Sequence, residues 1–150
     1  MRIFIVRRNR FTLMIELDDI YNLIKPKVGR KALRPDIDIF DELGIVGDDF
    51  HELIEDYYKR FNVDMSNYLW YFHTDEEGSL HSIGSWIIKP PNRRVKRIPI
   101  TPSILLEFAN KGTWNIEYPS HKLPKYRYDM FINYGILLLC LFFLIKSCIN

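Results

Sequence analysis

Apolar positions recur at helical spacing in three stretches of the chain. Leu13, Leu17, Ile20, Tyr21 and Ile24 share one face, which predicts a first helix over 11–25, ended by Pro26. Phe50, Leu53, Ile54, Tyr57 and Phe61 make a second apolar face, separated by His51, Glu52, Glu55, Asp56, Lys59 and Arg60. Asp48 or Asp49 can cap it, and with Asp49 as the cap Glu52 lies three residues on as in a capping box. Ile104, Leu105, Phe108 and Ala109 mark a third helix, opened by Thr101-Pro102 and closed by Lys111-Gly112, onto which Trp114 folds back. Between the second and third lie YLWYFH (68–73) and SIGSWII (82–88), two short strand-like runs that suggest a small hairpin insertion or irregular cover for the core. The fold expected is mainly α, a small orthogonal bundle of three to four helices.

Residues 130–145, MFINYGILLLCLFFLI, follow a different pattern. Apart from the Tyr134 hydroxyl, Asn133 is their only polar side chain. A packed helix keeps a polar face, and this one has none. Its sixteen residues reach about 24 Å, and adding Lys146 to Asn150, with Lys146 snorkelling, completes a crossing. Residues 130–148 are therefore expected to be a transmembrane tail anchor in the lipid bilayer. Lys122, Lys125 and Arg127 precede it, with Tyr126, Tyr128 and Tyr134 at the boundary, which places the preceding domain on the cytoplasmic side. The organisation expected is a basic arm (1–10), a helical domain (11–118), a linker (119–129) and the span.

Charge sharpens this division. Residues 1–34 carry nine bases and three acids, residues 35–77 two and thirteen, and residues 78–150 ten and three. The basic–acidic–basic order points to internal attraction, to separate partners, or to both. The arginines of 1–10 form either a loose arm or a collar near anionic lipid. The basic loop 25–34 lacks interleaved stacking aromatics, so nucleic acid is not an expected partner. Cys140 and Cys148 are the only cysteines, so the domain has no disulfide framework. Glu16 interrupts the apolar run a secretory signal would need.

Motifs for chemistry are incomplete. Asp36, Asp38 and Asp41 begin like a calcium loop that lacks its glycine and terminal glutamate. His51 and Glu55 approach the zinc motif with glutamate at the second ligand position. His73, Asp75 to Glu77 and His81 form a loose histidine–acid group. Neither a phosphate loop nor a nucleophile elbow is present, so no enzyme activity, metal or cofactor is expected.

The stretches LGIVGDDFHELI, KRFNVDM and RIPITPSILLEFANKGTW carry a resemblance. A Leu-Gly approach, a turn and an acidic helix look like an acyl carrier protein, where Asp-Ser-Leu presents the phosphopantetheine serine. Aligned on Leu43-Gly44, that serine is replaced by Gly47. Over about 12–118 the chain resembles the bacterial domain-of-unknown-function family numbered 1493, proteins similar to carriers that lack the serine. Ser66 comes too late after the turn to substitute. The resemblance implies an acyl-carrier-like bundle without prosthetic group. Its acidic residues Asp48, Asp49, Glu52, Glu55 and Asp56 would meet a protein partner with a basic surface, at the bacterial inner membrane. The alternative is a small membrane-active or membrane-regulatory protein whose span carries the effect. A carrier modified at another position is a third reading.

Overall fold

The computed structural model describes residues 14–76 and 82–149. The basic arm, Leu13, Glu77 and His81 lie outside the described residues. Within them the chain is mainly helical: α1 (Leu17–Val28), α2 (Gly47–Phe61), α3 (Ile83–Ile87), α4 (Pro102–Lys111) and α5 (Tyr128–Ile149), with single 3-10 turns at Trp70–Phe72 and Pro91–Arg93.

Helices α1, α2 and α4 form the core. Helix α1 packs against both others, burying Ile20 and Ile24 against Phe50, Leu53 and Tyr57 of α2 and Leu105 and Phe108 of α4. Ile39, Ile100 and Trp114 close the gaps from the connecting segments. The Tyr57 hydroxyl donates to the Leu105 carbonyl at 2.7 Å, which satisfies it inside the apolar centre. Burial raises its pKa. Trp114 folds back on α4 as expected, buried and tilted against Phe108 at 5.1 Å between ring centroids.

Helix boundaries differ from expectation in three places. Helix α1 begins at Leu17 and not at 11, with Glu16 as its cap and Asp19 completing a capping box. Helix α1 runs through Pro26 to Val28. In a last turn proline forfeits one backbone bond, and the burial of Val28 offsets it. Helix α2 begins at Gly47, ahead of both expected caps, Asp48 and Asp49. Its cap is the extended Val46, and Asp48 and Asp49 occupy the first turn, where carboxylates complement the helix dipole. Helix α4 has the predicted termini: the Thr101 hydroxyl accepts from the Ile104 N–H at 3.3 Å, and Gly112 closes it at φ +74°.

No hairpin forms among the described residues. The aromatic run folds as a 3-10 turn because its partners lie elsewhere: the Phe72 carbonyl accepts from Ile98 N–H at 2.6 Å, and the Phe72 ring lies tilted against Tyr118 at 4.8 Å between centroids. The second run is helical because α3 docks on α5. Among the described residues one isolated β-bridge pairs Asp64 with Thr113, tying the exit of α2 to the exit of α4.

Helix α5 starts at Tyr128, inside the stretch expected as linker. Its first turns are attached to the domain. From Leu137 to Cys148 every side chain is exposed, and Tyr128–Cys148 is long and apolar enough to cross a membrane.

Candidate functional site

The acidic face follows from how α2 is buried. Phe50, Leu53, Ile54 and Tyr57 point into the core, and Phe61 is half-buried behind them. The helical repeat then turns Asp48, Asp49, Glu52, Glu55 and Asp56 outward, and all five are exposed. The structure thus brings the five predicted acids onto one surface.

That surface is partly neutralised from within. Lys27, near the end of α1, places its ammonium 2.9 Å from Glu52 and 3.5 Å from Asp49. The Glu52 hydrogen bond, with the nearby Asp49 charge, raises the Lys27 pKa. Lys59 bonds Glu55 one turn along α2. One arginine from each of the basic loops is used next door. Arg34 bonds Glu42 at 2.9 Å. Arg97 reaches back to Asp38 at 2.6 Å and also bonds Asp41, while its guanidinium covers the Phe40 ring at 5.0 Å. Of the three aspartates that resembled a calcium loop, Asp38 and Asp41 therefore hold Arg97, and Asp36 pairs with Arg34 at 3.6 Å. His51 sits edge-on to Trp70 at 5.8 Å. Among the described residues no three His, Cys, Asp or Glu side chains converge as a metal set.

Gly47, at the position of the carrier serine, is buried at the first residue of α2 with φ +55°. A side chain there would adopt a left-handed backbone that costs about 1–2 kcal/mol. The turn is thus built for glycine.

His73 is not part of a loop chelate. It is buried, with Nδ1 at 2.9 Å from the Ile98 carbonyl and Nε2 at 2.8 Å from the Tyr118 hydroxyl. Because a carbonyl only accepts, Nδ1 carries the proton, and Nε2 accepts from Tyr118. The same hydroxyl accepts from Trp114 Nε1 at 2.9 Å and Leu69 N–H at 3.2 Å. Burial, aided by the Arg97 charge, pushes His73 down to about 4. Asp75 accepts from Asn92 at 2.8 Å, and Glu76 pairs with Arg127 at 2.6 Å. Sequence reasoning missed this network, because Tyr118 sits in an aperiodic, proline-flanked segment.

A second unforeseen junction ties the domain to α5. Arg127 bridges Glu76 and the buried Asp129, at 2.6 and 2.7 Å. Asn133 accepts from the Gly84 N–H at 2.8 Å.

A family model described as a protein of unknown function (DUF1493) matches residues 11–117. The chain belongs to the DUF1493 family. The matched region covers α1 to α4 and stops at Glu117, one residue before Tyr118 and before α5. The Arg127 bridge and the apolar helix therefore lie beyond the DUF1493 region. No curated protein and no solved structure matches the chain.

Proposed function

We propose that this DUF1493 protein is a membrane-tethered, non-enzymatic interaction module. Its carrier-like domain has no prosthetic group and recruits a protein partner with a basic surface through α2. The observation that carries the reading is the segregation of α2: four apolar residues inward, five acids outward. Such a face steers a cationic partner and sets its orientation more than it adds affinity. Lys27 and Lys59 hold Glu52, Asp49 and Glu55 in place, so a partner meets an ordered set of carboxylates. The buried, positive-φ Gly47 supports a role without the phosphopantetheine arm. The exposed apolar α5 supports insertion of 130–148 in the bilayer as a single pass. The basic and aromatic residues before it favour the bacterial inner membrane with the domain in the cytoplasm.

The test is crosslinking pull-down of the full-length chain from detergent-solubilised host membranes. Glu55→Lys with Asp56→Lys leaves the Lys27 pair intact and should abolish recovery of a partner captured by the wild type. Glu107→Lys, an exposed acid on α4, should leave recovery unchanged. Equal recovery by all three chains overturns the reading.

A further inference from the structure

Helix α3 divides into two sides. Gly84 and Ser85 are buried. Gly84 sits so close to α5 that an added Cβ would lie 1.9 Å from the Asp129 carbonyl oxygen and 2.8 Å from Asn133 Oδ1. The other side carries Ile83, Trp86 and Ile87 at spacings of three and four, exposed at 47%, 70% and 65%. Three large apolar side chains on one short helix are an unusual surface for water. They are held at the level of the first two turns of α5, where Phe131 and Tyr134 are also exposed.

We propose that α3 is a second membrane contact: Ile83, Trp86 and Ile87 enter the headgroup–acyl boundary of the bilayer that α5 crosses. The inference rests on the membrane reading above. Three observations select lipid as the occupant. The first is continuity, since α3 is joined to the start of α5 by the Gly84–Asn133 hydrogen bond and by direct backbone contact. The second is length. Tyr128–Cys148 is only just long enough for a roughly 30 Å hydrocarbon layer, so the first turns of α5, on which α3 docks, lie at the bilayer surface. The third is charge: Lys89, Arg93, Arg94 and Lys96 follow α3 directly, and of these Lys89, Arg94 and Lys96 are exposed. A tryptophan bordered by cations is the side-chain chemistry of the membrane interface, where the ring lies among headgroups and the cations meet anionic lipid.

The experiment uses the full-length chain in vesicles of phosphatidylcholine and phosphatidylglycerol, part of the lipid brominated near the top of its acyl chains. Tryptophan quenching is compared between wild type and W86F, after an alkaline carbonate wash that removes uninserted protein. The expected result is that the wild type is quenched and W86F loses most of that quenching, while acrylamide in the water reaches Trp86 poorly. Equal bromolipid quenching of the two washed, retained chains overturns the inference and leaves the span standing. In that case accessibility to acrylamide tells whether water or a second protein covers the face. Loss of the chain in the wash overturns the span, and this inference with it.

Discussion

His73 shows how much one neutral ring can fix. Its proton on Nδ1 is committed to Ile98, so the Tyr118 hydroxyl points at Nε2 and receives the Trp114 and Leu69 donors on its oxygen. Protonating Nε2 would aim a third donor at that oxygen and leave the hydroxyl hydrogen without its acceptor. The folded pKa of about 4 lies below the ordinary 6.5, so between these values the unfolded chain binds more protons. Stability is therefore fully present above pH 6.5 and falls as the pH drops through 4. The full loss is on the order of 3 kcal/mol. Urea denaturation of the full-length chain in mild detergent should show the midpoint falling across that window. His73→Gln should be less stable at pH 7 and should flatten the pH dependence; a slope as steep as the wild type's would refute the assignment. Single residues of this kind were poorly legible beforehand. The sequence showed His73 only as part of a loose histidine–acid group, because adjacency hides partners from 25 and 45 positions away.

At the scale of elements, periodicity worked where a helix has one buried side. The apolar faces of α1, α2 and α4, the Thr101 cap and the Gly112 stop were all readable. It failed where packing partners decide the backbone. SIGSWII has the composition of a strand, yet Ser82 caps it, with Ser82 Oγ accepting from Ser85 N–H at 3.2 Å, and α5 receives its glycine. The acidic face was legible as a pattern, but its tie to Lys27 across a 25-residue separation was not. The close approach of α3 makes a definite expectation. Gly84→Ala forces a methyl into the α5 backbone, an overpacking of about 1–3 kcal/mol. Hydrogen exchange should rise at the Ile88 amide, which bonds the Gly84 carbonyl at 2.8 Å, while amides of α2 and α4 keep their protection. Unchanged exchange at Ile88 would mean that α3 does not depend on this contact.

For the whole molecule, the decisive feature is the joint between the DUF1493 domain and α5. Composition suggested a loose linker over 119–129, with two prolines and no period. Instead, Arg127 links Glu76 of the domain to Asp129 of the helix, and Asp129 is buried. Arg127→Ala strips a buried carboxylate of its partner, a change that is strongly destabilising at such sites. Time-resolved anisotropy of a dye on the domain, with the chain in vesicles, should gain a fast wobbling component in the variant. An identical decay would show that Arg127 does not set the joint. An intact joint makes the helix a mast and not a leash. A domain on a leash samples a hemisphere and greets anything that drifts past. On a mast, α2 would be carried at one height and one bearing, and under the proposed function binding would be reserved for proteins whose cationic patch travels at the same altitude along the same membrane.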